Sequence, residues 1–340
     1  MCRAFVLLLS LAALGLHALP ADAQEDLRQA IEMNSAEQPT SIARPQFSRN
    51  DLARRRVVMP RQSGSKWGAS LEATFFRQFN TDVDGGSSFA ADRIISRLKV
   101  SYRVKPKVPL QLSFGYRMDW YDFDGGGSAA FPGRPWERIH SPRVTLPFFA
   151  PLGQRWFVIG GLVLRSTVEE GARLEDGITW GGFAGASYKV NDRLSIGPGF
   201  GWLTEIEDAD SIFPVLLIDW KITRNLTLRT GQGVGSTQGP GLFLDWKVNS
   251  RWMISAGGRS ERLRFRLDDE GVAPGGVGQD SSFAAVIFAD YRVREKFRLY
   301  LSAGTNFEGT LTLDDKDGVE LFRKGYDPAF MLGFGFNWTF

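Results

Sequence analysis

One phrase recurs along the chain and fixes how its strands must be joined. It reads Tyr188-Lys189-Val190-Asn191-Asp192-Arg193-Leu194, then Trp220-Lys221-Ile222-Thr223-Arg224-Asn225-Leu226, then Trp246-Lys247-Val248-Asn249-Ser250-Arg251-Trp252, then Tyr291-Arg292-Val293-Arg294-Glu295-Lys296-Phe297. Tyr102-Arg103-Val104 ahead of Pro106 to Leu110 is a looser copy, and Phe149 to Trp156 around Pro151-Leu152-Gly153-Gln154 a degenerate one. Each is an aromatic, a base, a β-branched residue, a short polar turn and another apolar residue, which is the pattern of a tight hairpin. Between phrases there is chain enough for two strands and a more variable loop. Tight turns therefore alternate with longer Gly- and Asp-rich loops, such as Asp82 to Ser87, Asp124 to Ser128 and Asp268 to Asp280.

The strands between the turns have a period of two. Phe330, Leu332, Phe334, Phe336, Trp338 and Phe340 share one face, opposite Ala329, Met331, Gly333, Gly335, Asn337 and Thr339. Ile94, Leu98, Val100 and Tyr102 likewise oppose Arg93, Arg97, Lys99 and Arg103. Composition agrees: 38 glycines and 13% aromatics suit strands and disfavour helical bundles. A soluble sandwich would alternate too. The aromatics choose between them, because Tyr102, Tyr188, Trp220, Trp246 and Tyr291 recur just before the tight turns, with Trp338 near the chain end and Trp156 and Trp252 just after turns. That is a girdle at one interface of a membrane-spanning barrel, with Trp120, Trp136, Trp180 and Trp202 placed to supply the opposite one.

The first 23 residues have the three parts of an export signal: Arg3, an apolar stretch from Ala4 to Leu16, and Ala21-Asp22-Ala23 as cleavage site. Residues 24–65 are polar, proline-punctuated and without sustained period, and are expected to be a disordered periplasmic leader. Cleavage after Ala23 removes Cys2 and His17, leaving His140 as the one imidazole and no thiol. A disulfide scaffold and a Cys/His zinc site are thereby excluded. With 41 basic and 38 acidic residues, the charge total does not argue for nucleic acid.

The chain closes on Gly333-Phe334-Gly335-Phe336-Asn337-Trp338-Thr339-Phe340. On this strand, the export signal and the roughly 275 residues after Lys66, it resembles Gram-negative outer-membrane β-barrel proteins. The aromatic-basic turn phrases are also similar to those of outer-membrane transporters. The resemblance implies that Phe334, Phe336, Trp338 and Phe340 are read by the barrel-assembly machinery, and that the partners are outer-membrane lipid, lipopolysaccharide and small solutes. The expected fold is all-β, a single transmembrane antiparallel up-and-down β-barrel spanning 66–340. About fourteen strands are expected, starting near residues 66, 90, 110, 136, 155, 178, 194, 212, 225, 240, 251, 281, 297 and 328. Pro142, Pro147, Pro198 and Pro214 fall inside these strands and would interrupt ladders, so twelve strands remain an alternative.

Function is then a question about the lumen. The alternation turns Arg97, Arg117 and Arg259 inward at one height, with Lys99, Arg165, Arg229 and Arg298 nearby and Glu72, Asp119 and Glu261 as counter-charges. These arginines are expected either to line a cationic constriction of a weakly anion-preferring passive pore, or to pair with the carboxylates and fill the lumen. Inward Phe76, Phe183, Phe243 and Phe288 suggest a hydrophobic-compound transporter as an alternative, and a structural or adhesive barrel with a filled lumen is another. No catalytic, cofactor or metal set is expected. His140 and Ser141 are neighbours on a strand and face opposite ways. The acidic stretches around Asp84 and Asp315 lack the full calcium-loop pattern.

Overall fold

The computed structural model describes residues 66–105, 108–125, 134–230 and 241–340. The proposed signal and leader lie outside the described residues, as does the loop region around Gly126. The strands are β1 (Trp67–Val83), β2 (Ser87–Lys105), β3 (Val108–Asp124), β4 (Arg138–Leu152), β5 (Trp156–Ser166), β6 (Val168–Glu169), β7 (Ile178–Lys189) and β8 (Leu194–Glu205). They continue with β9 (Asp208–Lys221), β10 (Leu226–Thr230), β11 (Gly241–Lys247), β12 (Trp252–Arg266), β13 (Val277–Arg294), β14 (Phe297–Asp314), β15 (Glu320–Tyr326) and β16 (Ala329–Thr339). Fourteen of them make a closed antiparallel wall in chain order: β1 to β5, β7 to β14, and β16, which pairs with β1. Closure gives every wall strand a partner on both sides. Several strands begin earlier than expected, β13 at Val277 and β9 at Asp208 among them, and Asp82 to Ser87 is a short hairpin turn with Gly85 and Gly86 at positive φ, not a longer loop.

The recurring phrase works through its polar residue. Asn191 Oδ1 accepts hydrogen bonds from the backbone N–H of Arg193 (2.8 Å) and Leu194 (2.9 Å), and Asn249 Oδ1 does the same for Arg251 (2.8 Å) and Trp252 (2.9 Å). Thr223 Oγ1 takes the same part for Asn225 and Leu226. The side chain thus satisfies turn donors that the ladder leaves free. The fourth copy has Arg294 at this position and instead carries a register shift between Arg292 and Arg294.

None of the four prolines sits at a bulge. Pro142 and Pro147 pair on one side only, with Tyr116 and Gly161 respectively, and among the described residues Pro214 pairs with Phe200. Pro198 pairs with Leu216, while its other ladder, β7 to β8, is interrupted between Gly185↔Gly199 and Tyr188↔Ile196. For Pro142, Pro147 and Pro198 the missing N–H falls on a stretch without ladder pairing, so the strand count survives.

Outside, the wall is apolar: Leu98, Phe114, Leu146, Phe148, Leu162, Leu164, Phe200, Leu216, Ile287, Leu301, Leu332 and Phe334 are all exposed. A band of this kind around a closed wall is stable against hydrocarbon and not against water. The architecture is that of an outer-membrane β-barrel. No helix among the described residues is long and apolar enough to cross a membrane; the strands cross it.

The closing strand shows why glycine alternates with phenylalanine there. Its inward glycines are seats for rings of both neighbours: a Cβ on Gly333 would lie 2.5 Å from the Phe76 ring of β1, and one on Gly335 2.6 Å from the Tyr300 ring of β14. Phe334 meets Phe75 on the outer face with ring centroids 5.4 Å apart.

Candidate functional site

The mouth at the end with the longer loops is crossed by a septum. After Ser166 the chain leaves the wall, and β6 runs between β4 and β12, which stand on opposite sides of the ring. It is hydrogen-bonded on both edges: Glu170 N–H donates to Arg138 O (2.8 Å), and Arg266 N–H donates to Thr167 O (3.1 Å). Glu169 ties in two further segments, its carboxylate accepting from the backbone N–H of Glu137 (2.9 Å) and of Asp268 (3.3 Å). Burial pushes its pKa up to about 7, with the neighbouring Asp268 and Glu137 charges adding to the rise and the two backbone donors opposing it.

One side of this septum is filled by an apolar core of Phe89, Tyr121, Phe123, Trp136, Ile139, Leu263, Phe265, Leu311, Leu313 and their neighbours. Trp136 is therefore not a girdle residue. It is buried in the mouth, and Trp120, Trp180 and Trp202 remain on the outer face, the last two packed edge-on at 4.7 Å. On the other side, Arg264 Nε donates to Ile206 O (2.6 Å) and Arg266 pairs with Glu207, which anchors the β8–β9 tip.

Beneath the apolar core lies a layer of buried charge. Asp119, fully buried, accepts a two-pronged bond from Arg117 (Nε 2.6 Å, Nη2 2.6 Å), and Arg93 Nε lies 3.1 Å away as an ion-pair contact. Arg93 Nη2 also reaches Asp280 (3.3 Å) and Gln78 (3.0 Å), while Tyr121 and Tyr326 hydroxyls donate to Asp280 at 2.8 and 3.0 Å. Asn306 completes the set by donating to Gln78. Buried charges persist only where such partners replace water.

The three arginines expected at one height fare differently. Arg117 and Arg259 are 6% and 5% exposed and engaged by Asp119 and Glu261, each two residues on along the same strand face. Glu261 lies within electrostatic reach of Arg259, Arg117 and Arg93, so these belong to one layer. Arg97 is half-buried and stands opposite Glu72 in the β1–β2 register. The lumen bases named with them pair too: Lys99 with Glu72, Arg165 with Glu205, Arg229 with Asp245 and Arg298 with Asp290.

Phe76, Phe243 and Phe288 gather with Ile95, Ala284, Val286 and Met331 in one buried cluster; Phe183 is outside it. At the end with the short turns the aromatics pair on the outer face, Trp67 with Tyr102 (4.8 Å), Trp156 with Tyr188 (5.0 Å) and Trp252 with Tyr291 (4.7 Å), while Trp220 and Trp246 stand exposed. Phe334, Trp338 and Phe340 are exposed on the last strand, Phe336 is half-buried, and Phe340 N–H donates to Ala69 O (2.9 Å). His140 faces outward and meets the Tyr116 hydroxyl through Nδ1 (2.7 Å), while Ser141 is buried inward. Asp315 spends a carboxylate oxygen on the N–H groups of Asp317 and Val319, as a turn does. Sequence reasoning passed over Asp280, hidden in an apparent loop.

No family model and no curated protein matches the chain. Among solved structures it is similar to an outer membrane channel from Pseudomonas putida F1 (TM-score 0.47, 11% identity, covering 82% of this chain and 99% of that one). It is also similar to the toluene transporter TodX of P. putida (TM-score 0.37, 10% identity, 82% and 91%) and to OmpT of Vibrio cholerae (TM-score 0.36, 10% identity, 82% and 99%).

Proposed function

We propose that the chain is exported by cleavage after Ala23, inserts in the bacterial outer membrane, and passes small solutes through a lumen that is shut at its outer mouth in the conformation described. The observation that carries this reading is where the closure sits. Eight strands enclose little more than their own side chains, whereas a wall of fourteen encloses more. Here an apolar closure lies at the mouth, where wall residues such as Phe89, Phe123, Leu263 and Leu313 pack with Trp136 and with Leu267 and Ala273 of the segment after β12, which stand outside the wall strands. In the same reading, the outer aromatic pairs contact headgroups at the periplasmic interface, and Phe334 to Phe340 engage the assembly machinery. The cationic-constriction reading of Arg97, Arg117 and Arg259 becomes that of an ion-pair layer under a cap. Phe76, Phe243 and Phe288 are buried in one packed apolar cluster that Phe183 does not join, which argues against a greasy solute site built from all four.

Planar-bilayer recording of the refolded full-length protein tests the proposal. Rare openings in the wild type and sustained conductance in Trp136→Gly are expected. Folded barrels of both kinds that never conduct would instead favour a non-transporting barrel.

A further inference from the structure

The end of the wall with the short turns carries its bases in register. Trp156 is registered with Tyr188, Trp252 with Tyr291, Trp67 with Tyr102 and Leu194 with Trp220. One step further out, each of these rows is followed by two bases joined through the backbone. Lys189 N–H donates to Arg155 O (2.7 Å), Arg292 N–H to Arg251 O (2.8 Å), Arg103 N–H to Lys66 O (2.8 Å) and Lys221 N–H to Arg193 O (2.8 Å). Four seams of the wall thus repeat one arrangement, a row holding an interfacial aromatic and then a pair of bases at the rim.

Like charges directly opposite one another on neighbouring strands repel. Little offsets them at this rim. Lys189 pairs with Asp192 of its own turn, and Arg155 donates to the Tyr188 hydroxyl (2.9 Å). The other six bases make no ion pair among the described residues, although Asp290 lies within electrostatic reach of Arg292 and Asp192 of Lys221. The turns add Arg224, Lys247, Arg294 and Lys296, all exposed, while Asp192 and Glu295 are the side-chain acids of the described short turns. The opposite end does not share this excess: Glu207 and Asp208 stand at the β8–β9 tip, and Asp314, Asp315, Asp317 and Glu320 around the turn after β14. The height of the bases is also set. One residue is about 3.3 Å of strand, so the pairs lie beside the aromatics that mark the headgroup level. Successive residues face opposite ways along a strand, but at the rim a long basic side chain can reach round to the outer face, as the Arg155 guanidinium does in meeting Tyr188.

We propose that this rim is a collar for anionic phospholipid, gathering the phosphodiester headgroups of a lipid such as phosphatidylglycerol against the paired bases. The phosphate charge relieves the repulsion within each pair, and guanidinium groups suit its oxygens. A zwitterionic headgroup brings its own cation and gives less relief. In the orientation proposed above, the lipid is that of the inner leaflet. The inference rests on the reading of the wall as membrane-inserted with its aromatic pairs at the surface, and it adds which lipid collects there.

The test reconstitutes the refolded full-length protein in phosphatidylcholine vesicles and compares the association of spin-labelled phosphatidylglycerol with that of spin-labelled phosphatidylcholine. Phosphatidylglycerol should be favoured by about threefold or more at low salt, and the preference should fall toward equality in concentrated salt. Replacing Arg193, Lys221, Arg251 and Arg292 together with Gln should abolish most of it. Arg173→Gln with Arg323→Gln, at the opposite end, should leave it unchanged. Retained heat-modifiable mobility shows that each variant is folded; should the fourfold variant fail to fold, Arg193→Gln with Lys221→Gln, which alters one seam, should still lower the preference. No preference in the wild type overturns the collar, and so does an equal preference in the folded rim variants, which would assign it elsewhere in the chain. A folded barrel that does not enter the vesicles would remove the membrane reading itself, whereas one that enters and shows no preference removes the collar alone.

Discussion

The indole of Trp136 meets the ring of Phe265 edge-on, with centroids 5.1 Å apart and planes at 80°, joining opposite sides of the fourteen-stranded ring. Both side chains are fully buried. Truncating an aromatic so placed costs about 3–5 kcal/mol. Because the loss falls on the septum and not on the wall, Trp136→Ala should raise the open fraction in bilayer recordings while the barrel still migrates as folded without heating.

Glu169 gives the septum a dependence on pH. Its pKa is raised to about 7 by burial, so the closed mouth binds more protons than an opened one in which this carboxyl is solvated with an ordinary value. The closed form therefore gains from protonation as pH falls through 7 toward the ordinary carboxylate range, and loses that gain as pH rises. Open probability should be greater at pH 8 than at pH 5.5, by on the order of tenfold. Glu169→Gln, which keeps the neutral form, should flatten the profile; an unchanged profile in that variant would exclude Glu169 as the titrating group.

Arg93 joins Asp119 to Asp280 inside the charged layer. Arg93→Met leaves two buried carboxylates short of a cation, for which a loss of about 3–5 kcal/mol is expected. The measurement is the temperature at which the compact band converts to the unfolded one.

The terminal strand can be tested through yield. Deleting Phe340, or replacing Phe334, Phe336 and Trp338 with Ser, should lower the folded barrel in the membrane fraction, since exposed aromatics there contact lipid. Gly335→Leu should do so as well, by displacing Tyr300. Wild-type yield in all of these would count against the seam as an assembly element.

Orientation follows from the even strand number and the short turns. Epitopes at Gly85 or between Gly271 and Gly275 should be reached by antibody on intact cells. Epitopes at Asn191, Thr223, Asn249 or Arg294 should be reached only after the outer membrane is breached, and the reverse result would invert the topology.

The wall was legible because its determinants are local: a period of two, and an Asn or Thr at a fixed place in three of the four copies of the turn phrase. The base–acid pairs Arg117–Asp119 and Arg259–Glu261 were legible for the same reason, being two apart on one face. The mouth was not. Trp136 sits among polar residues near a strand start, where a girdle aromatic also sits, and only its partners on β12 and β14 distinguish the two. β15, Glu-Leu-Phe-Arg-Lys-Gly-Tyr, alternates too weakly to be read as a strand, and it forms because β14 and β1 offer it edges.

The ring seats on the last strand make the seam self-checking. With Phe76 lying on Gly333 from one side and Tyr300 on Gly335 from the other, a slip of one residue would drive Phe334 or Phe336 into those rings and turn the glycines to lipid. A slip of two residues toward the chain end would bring Asn337 beneath Tyr300, where there is no room for a side chain. The closing strand thus has one alignment that both of its neighbours accept, and the circle closes only when the first and last wall strands agree on it.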